Sequence, residues 1–287
     1  MIGPATEEAA FLAPETLEAA VEALGTPGAV AVSGGTSIGL LLGQGLLSPS
    51  ALVWLGRIPE LSVLEPADGA LSIGAATTLA TLATDPRVRA VAPALADAAG
   101  SVGNTRVRAV ATVGGALAHA DPRQDVPPAL LALDANVEVM GRQGRRRLAV
   151  DELIDGFMST TLLPDEVITR VQVPLPDGRR SAYLRFTPGS ADDYPTVAAA
   201  AAVAIGDGVP VAATLAMGGA APAPYLVPEA DRLREVPEAR WAEVVAQVAD
   251  AAARRADPVD DRLGSAAYKR RMVAVWARRA LEQCLSV

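Results

Sequence analysis

The sequence predicts a mixed fold of helices and strands in successive parts. Between residues 14 and 176, apolar runs of strand length alternate with segments of helical periodicity. Pro174, Pro176 and Gly178 then mark the clearest boundary in the chain. The remainder ends in two amphipathic helices. A chain of 287 residues accommodates this arrangement as one large domain or as two to three small ones.

The first part is predicted to be a small α/β unit. Its apolar residues change from helical spacing to short continuous runs, which separates helices from buried strands. The predicted elements are a helix that begins at residues 14–16 and ends at Gly25 or Gly28, a strand at 29–32, a helix at 38–42 and a strand at 51–55.

The second part combines strands with short helices. Thr78 is a predicted helix cap, and Pro127-Pro128 a predicted helix start, because proline suits the first turn. The predicted elements are a strand at 71–74, helices at 78–83, 91–99 and 127–133, and strands at 136–140, 146–150 and 167–173. Apolar residues around a double glycine at 114–115 indicate a short buried strand or turn there.

The third part is predicted to carry strands followed by long helices. Ser265 is the expected cap of the last helix, whose apolar face contrasts with its many arginines. The predicted elements are strands at 181–187 and 211–217 and helices at 237–255 and from 265 onward. Residues 197–205 are compatible with a strand or an apolar helix, because their alanine run hides the periodicity.

The composition excludes several classes of function. Apolar residues make up 51% of the chain but aromatic residues only 3%, so the core is built from Ala, Val and Leu. A net charge of −8 argues against binding to nucleic acid or to an anionic membrane, since both require basic patches. The one basic run, residues 142–147, is predicted to belong to the solvated turn of a hairpin.

Metal ligands are rare in this sequence. Cys284 is the only cysteine and His119 the only histidine, which excludes an internal disulfide, a cysteine-ligated iron–sulfur cluster and a histidine-rich zinc site. We therefore predict no metal in this chain. The N-terminus lacks the basic and apolar regions of a signal peptide, and the longest apolar stretch is far too short for a membrane span. These features predict a cytoplasmic protein.

Two double-glycine loops are the strongest candidates for a binding site. Residues 33–37 read SGGTS and residues 112–116 read TVGGA, and each loop follows an apolar run. A diphosphate needs convergent N–H donors and little steric bulk, and glycines beside hydroxyl residues supply both. The alternative for either loop alone is an ordinary tight turn. Neither loop has the GxGxxG or GK[ST] pattern, which argues against a Rossmann fold and a P-loop. A third pair, Gly218-Gly219, has no hydroxyl loop beside it and is predicted to be structural.

Around the second loop the sequence resembles a known family. Residues 111–139, ATVGGALAHADPRQDVPPALLALDANVEV, resemble the FAD-binding medium subunit of molybdenum hydroxylases, a group that includes carbon monoxide dehydrogenase and xanthine dehydrogenase. Further similar segments are SGGTS at 33–37, LVWLGRIPEL at 52–61, IGAATTLATLATDP at 73–86 and YKRRMVAVWARRAL at 268–281. The resemblance covers nearly the whole chain and keeps the order of the motifs.

This resemblance implies a fold and a domain organisation. The fold would be the α+β FAD-binding fold of the vanillyl-alcohol-oxidase (PCMH) type, built of two subdomains and followed by a C-terminal α/β domain. The implied FAD-binding subdomains are residues 1–57 and 58–176. Residues 177–287 would form a C-terminal domain of the carbon monoxide dehydrogenase flavoprotein type.

The resemblance also implies which residues hold a non-covalently bound FAD. The two loops would hold its pyrophosphate, Asp125 would bind a ribitol or ribose hydroxyl, and Arg185 would lie near the pyrimidine edge of the flavin. The implied set is Val32, Ser33, Gly34, Gly35, Thr36, Ser37, Thr112, Gly114, Gly115, Ala116, Asp125, Ile168, Thr169 and Arg185. The alternative for Asp125 is a helix N-cap, and that for Arg185 is an ordinary exposed arginine.

Several positions depart from the family pattern. Ala116 replaces the usual Asn after the second double glycine, Ala109 replaces another Asn, and residues 187–190 replace a more basic segment. These changes concern the access of a substrate or an electron acceptor. His119 is expected to be packed or to lie beside the cofactor, without a covalent bond to it. No catalytic residue is predicted.

The resemblance implies an electron-transfer function. The chain would be a FAD-binding oxidoreductase subunit that passes electrons from a [2Fe–2S] small subunit and a molybdopterin large subunit to an external acceptor such as NAD, oxygen or a quinone. The alternative is a stand-alone FAD-dependent oxidase or dehydrogenase that acts directly on a small organic substrate. A binding protein that has lost FAD is disfavoured, because both loops are intact.

Overall fold

The computed structural model of the chain describes residues 9–175 and 178–286. The start of the N-terminal segment used above to argue against a signal peptide lies outside these residues, as does Pro176 of the predicted boundary. Within the described ranges, no helix is both long and apolar enough to cross a membrane. The mixed content of helices and sheets confirms the predicted fold class.

The N-terminal part is a small parallel sheet flanked by helices. Its elements are β1 (Ala10–Leu12), α1 (Leu17–Leu24), β2 (Ala29–Val32), α2 (Thr36–Gly43) and β3 (Ala51–Trp54). The strands lie in the order β1-β3-β2, and β3 pairs in parallel with both neighbours. The two predicted strands and both predicted helices are confirmed. Strand β1 has only three residues and is not apparent from the sequence.

The middle part is an antiparallel sheet covered by short helices. Its strands are β4 (Leu64–Ala67), β5 (Ala70–Gly74), β6 (Asn136–Gly141), β7 (Gly144–Ala149), the short hairpin β8 (Ile154–Gly156) and β9 (Ser159–Thr160), and β10 (Val167–Pro174). The main sheet has the order β4-β5-β10-β6-β7. The helices are α3 (Leu79–Thr84), α4 (Pro86–Val91), α5 (Pro93–Ser101), α6 (Thr105–Val110), α7 (Val113–His119), α8 (Val126–Ala132) and α9 (Val150–Leu153).

The helix expected at 91–99 is present as α5, which begins two residues later because Pro93 starts it, and α4 is an additional helix before it. One prediction for this part is wrong. The strand or turn expected around the second double glycine is helix α7, which contains both glycines in its first turn. Tertiary hydrogen bonds explain this outcome: the amide of Val113 donates to the Thr77 carbonyl and that of Gly114 to the Ala75 carbonyl.

The C-terminal part is an antiparallel sheet with two long helices on one face. Its elements are β11 (Arg179–Phe186), β12 (Val197–Gly206), β13 (Val209–Gly218), β14 (Tyr225–Leu226), α10 (Trp241–Arg255) and α11 (Ala266–Leu285). The strand order is β11-β12-β13-β14. The expected helix at 237–255 begins later than predicted, because Glu238–Arg240 forms a 3₁₀ turn before α10.

Residues 197–205, which the sequence leaves open as a strand or an apolar helix, belong to strand β12. Alternate residues of β12 belong to two different cores: Ala198, Ala200 and Ala202 pack with the middle part, whereas Val197, Ala199, Ala201 and Val203 pack with α10 and α11. Both faces of the strand are therefore buried, which suppresses the usual alternation of apolar and polar residues. The sheet thus joins the C-terminal helices to the core that the N-terminal and middle parts share, and these two parts carry one loop each. The domain boundaries themselves remain a prediction.

Candidate functional site

A cavity of about 820 Å³ lies where all parts of the chain meet. Its volume is in the range of small-molecule and cofactor sites. Its wall includes residues 33–38, the start of α7, residues 124–126, Ile168 and residues 192–194. The two double-glycine loops therefore border the same space, although they are far apart in the sequence.

The first loop touches the backbone that precedes the second loop. A Cβ atom at Gly34 would overlap the carbonyl oxygen of Val110 and lie 2.6 Å from its carbonyl carbon. Only glycine permits so close an approach. Gly35 has a φ of 73°, a left-handed conformation, immediately before α2. Gly34 thus allows the contact between the loops, and Gly35 allows the turn into the helix.

The N-terminus of α2 leaves backbone donors unpaired beside the cavity. In the part of the chain that the structure describes, the amides of residues 34–38 donate to no other residue, and all of these residues line the cavity. The first amides of a helix lack an intrahelical acceptor and form the positive end of its dipole, so they favour an anion. Ser33, Thr36 and Ser37 add hydroxyl groups to the same wall.

The second loop is built differently, and one expectation for it is wrong. We expected it to offer free amides, but the amide of Gly114 donates to the Ala75 carbonyl, that of Gly115 to Thr112 Oγ1 and that of Ala116 to the Thr112 carbonyl. Gly114 is buried, and a Cβ atom there would lie 2.7 Å from the Ala75 Cβ. Gly115 is exposed and lines the cavity. This loop therefore forms part of the cavity wall, but it offers no unpaired amides at residues 114–116 to a ligand.

Asp125 stands at the centre of a buried polar network. Its Oδ1 accepts from the Tyr183 hydroxyl at 2.6 Å and from Arg185 Nη1 at 3.0 Å. Arg185 also donates to the carbonyls of Ser101, Ala191 and Asp193. It is not an ordinary exposed arginine, because only 12% of its side chain is accessible. Asp125 precedes α8, but its carboxylate makes no capping hydrogen bond to that helix.

Burial raises the pKa of Asp125 to about 6, although Arg185 and Tyr183 act in the opposite direction. Because this pKa lies above the ordinary value of 3.8, folding favours the protonated carboxyl. The protonated Asp125 therefore adds to the free energy of unfolding. This contribution is complete below pH 3.8 and is lost as the pH rises through about 6. For each pH unit by which the pH rises between these two pKa values, the free energy of unfolding falls by about 1.4 kcal/mol.

The variant Asp125→Asn is therefore expected to lose the contribution that titration of this carboxyl makes to the pH dependence of stability. The Tm of the wild type minus that of D125N should fall as the pH rises from 4.5 to 7, because the asparagine does not titrate and the other carboxylates cancel in the difference. Thermal unfolding of both FAD-free proteins at several pH values measures this. A difference that stays constant, or that grows with pH, contradicts the raised pKa.

The remaining predicted residues do not all reach the cavity. Ile168 lines it, whereas Val32, Thr169 and Arg185 are not among the described residues of the wall. The Thr169 hydroxyl donates instead to the main-chain carbonyl and side-chain Oε1 of Glu138, both at 3.1 Å. His119 lines the cavity, is half-buried, and has its pKa lowered by this burial against the opposing charge of Asp121.

Sequence reasoning missed several residues of the wall. Gln124, Met158 and Tyr194 line the cavity. Gln124 lies in the segment at 111–139 that resembles the family, but none of the three was predicted as a site residue. The apolar helix α2 was assigned to the fold alone, yet it has no buried side chain, and Ile38 and Leu41 line the cavity. Gln124 adjoins Asp125, which was the available signal. Met158 and Tyr194 come to the cavity through tertiary contacts only.

These features fit a bound FAD. The unpaired amides before and within α2 suit a pyrophosphate. Gly34 lets the first loop lie against the backbone before the second loop, and Gly115 lines the cavity without a side chain. Within the described chain, Gln124 Oε1 is buried without a hydrogen-bond partner, as expected where a ligand supplies the missing donor. The site is thus suited to a dinucleotide-binding protein, one that has neither a Rossmann loop nor a P-loop.

Comparison with known proteins gives the family. The model described as the FAD binding domain in molybdopterin dehydrogenase matches residues 6–176. The model described as the CO dehydrogenase flavoprotein C-terminal domain matches residues 182–284. The chain therefore belongs to the family of FAD-binding subunits of the molybdenum hydroxylases, and it is a FAD-dependent oxidoreductase.

Similar proteins match over almost their whole length. The carbon monoxide dehydrogenase medium chain of Hydrogenophaga pseudoflava is 31% identical over 284 residues, covering 98% of this chain and 97% of that protein. The 6-hydroxypseudooxynicotine dehydrogenase complex subunit alpha of Paenarthrobacter nicotinovorans is 31% identical and covers 96% and 94%. The solved structure of quinoline 2-oxidoreductase from Pseudomonas putida 86 has a TM-score of 0.91 at 28% identity, with 98% of each chain covered.

Proposed function

We propose that the cavity holds FAD non-covalently, with its pyrophosphate at the N-terminus of α2, and that the chain transfers electrons between partner subunits and an external acceptor. The main support for FAD binding is the group of unpaired backbone amides at residues 34–38, all of which line the cavity. Bound FAD would supply the ability to accept electrons and release them to another molecule.

The residues have distinct proposed roles. Gly34, Gly35, Thr36 and Ser37 hold the pyrophosphate, and Gly115 and Ala116 form the facing wall. Asp125 binds a hydroxyl of the cofactor, and Ile168 packs beside the flavin ring. Val32 and Thr169 act from behind the wall through the backbone, and Arg185 acts through its ion pair with Asp125.

Helix α2 gives further support. It is strongly apolar, yet every one of its residues is at least partly exposed. A ligand in the cavity would cover Ile38 and Leu41 and complete the burial that the protein core does not provide. FAD is therefore proposed to stabilise α2 when it binds.

We propose that a [2Fe–2S] small subunit and a molybdopterin large subunit supply the electrons, and that a small molecule accepts them. The names of two similar proteins support this, since one is called a medium chain and the other a subunit of a dehydrogenase complex. In this chain the one cysteine is buried in the C-terminal core, away from the cavity.

The test is to purify the full chain alone and together with the proteins of its native host. We expect the isolated chain to show the visible absorption of oxidised flavin, to release its FAD on denaturation, and to leave small organic substrates unchanged. We expect it to co-purify with two further subunits from the host. Turnover of an organic substrate by the isolated chain, without those partners, would instead establish the stand-alone oxidoreductase.

A further inference from the structure

The loop between α7 and α8 directs one unexplained polar side chain to the cavity. Gln124 lines the cavity, and its Oε1 is buried without a hydrogen-bond partner in the described chain. A buried amide oxygen with no donor destabilises the protein, so such groups are rare. The cavity is where a donor for this oxygen can come from.

The backbone of this loop is fixed by hydrogen bonds from several directions. The amide of Gln124 donates to the Asp121 carbonyl at 3.0 Å, and that of Arg123 donates to Asp121 Oδ1 at 2.9 Å. From the C-terminal part, the amide of Gly219 donates to the Pro122 carbonyl at 2.8 Å. The predicted structural role of the third double glycine thus includes holding this loop. Gln124 is placed by a preformed scaffold.

The chemistry of the amide selects a type of ligand group. A glutamine side chain offers one carbonyl acceptor and two N–H donors side by side. It therefore matches a ligand edge on which an N–H lies next to a carbonyl or ring nitrogen. FAD has two such edges: the N3–H with its neighbouring carbonyls on the flavin, and the amino group with a ring nitrogen on adenine.

The surroundings of Gln124 favour the flavin edge. The next residue, Asp125, is ion-paired with Arg185, and both side chains are shielded from water. A guanidinium near the pyrimidine ring stabilises the charge that a flavin gains on reduction, whereas adenine undergoes no such change. We infer that Gln124 binds the N3–H and an adjacent carbonyl of the flavin pyrimidine ring, an assignment that rests on the proposed binding of FAD.

The test compares FAD with N3-methyl-FAD, in which the N3–H is replaced by a methyl group. The Kd of each is measured by fluorescence titration of the FAD-free full chain, in the wild type and in Gln124→Leu. The wild type should bind N3-methyl-FAD at least about tenfold more weakly than FAD, the effect of losing one good hydrogen bond. In Q124L the two Kd values should agree within about threefold, because the partner of the N3–H is gone.

Two controls keep the outcomes separate. Gln44→Leu makes the same change at an exposed position outside the cavity and should bind both flavins as the wild type does. The Tm of FAD-free Q124L should equal or exceed that of the wild type, because the variant removes an unpaired buried polar group.

Other results overturn the assignment in different ways. Equal affinity of the wild type for FAD and N3-methyl-FAD disproves the contact with N3–H, and so does discrimination that persists in Q124L. Discrimination only against FAD with a dimethylated adenine amino group assigns Gln124 to adenine instead. A wild-type chain that binds no flavin at all refutes the proposed function rather than the role of Gln124.

Discussion

Replacing Gly34 by alanine is expected to lower both the stability of the protein and its affinity for FAD. The new Cβ would overlap the carbonyl oxygen of Val110, which is part of the backbone and cannot rotate away. Overpacking usually costs 1–3 kcal/mol, and we expect about 3 kcal/mol here because both loops must separate. The same separation displaces the amides before α2 from the facing wall, so the Kd for FAD should rise at least about tenfold. Thermal unfolding of the FAD-free protein and fluorescence titration measure the two effects.

Gly39→Ala is the matched control for this experiment. Gly39 lies within α2, and a Cβ atom there meets no other atom within 4 Å. The exchange should raise the stability by about 0.5–1 kcal/mol, because alanine is a better helix former than glycine. FAD affinity should be unchanged. A Gly34→Ala protein that matches this control in Tm and Kd would show that the two loops do not touch as described.

The importance of this contact follows from the charges around the cavity. The carboxylates that line it are Asp125, Glu166, Asp192 and Asp193, and no lysine or arginine is among the described residues of its wall. Arg146 pairs with Glu166 at 2.7 Å and holds the pKa of that carboxyl below its ordinary value. A diphosphate bound at the proposed position would therefore be held by neutral donors. Their effect declines within the first turn of the helix, so small displacements of α2 should matter greatly.

The sequence was most informative where local chemistry decides the structure. Thr78 and Ser265 were predicted as helix caps, and each accepts a hydrogen bond at 3.2 Å from the amide three residues further along the chain. Such caps need only a short stretch of sequence. The basic hairpin of residues 142–147 is confirmed for the same reason, since β6 and β7 pair directly around their turn.

The sequence was least informative where distant residues decide. The first turn of α7 contains two glycines and would be unfavourable alone, but it is held by the carbonyls of Ala75 and Thr77. Similarly, the amides of the second double-glycine loop were expected to be free. The amide of Gly114 is paired instead, because its acceptor, the carbonyl of Ala75, lies far away in the sequence. Met158 and Tyr194 reach the cavity only through tertiary structure. None of these relations leaves a local pattern.

The two glycines of the second loop show this limit most clearly. They look equivalent in the motif and both line the cavity. A Cβ atom at Gly114 would collide with Ala75, however, whereas one at Gly115 would meet only Thr112 Oγ1. A side chain at Gly114 therefore has to displace protein atoms. A side chain at Gly115 would instead compete with the FAD that is proposed to fill the cavity. This difference allows stability and FAD binding to be separated by substitutions at adjacent positions.

Gly115→Val is expected to abolish FAD retention while leaving the fold largely intact. Its Cβ would meet only Thr112 Oγ1, at 3.0 Å, and its methyl groups would occupy cavity space. We expect the Kd for FAD to rise at least about 100-fold, equivalent to about 2.7 kcal/mol, with little change in the Tm of the FAD-free protein. Gly114→Ala should give the reverse pattern, because its Cβ would lie 2.7 Å from the Ala75 Cβ and 2.9 Å from the Ala75 carbonyl oxygen. If both variants lost stability and FAD in the same proportion, the division of roles within this double glycine would be wrong. If G115V kept its flavin, the pyrophosphate would not lie against this wall.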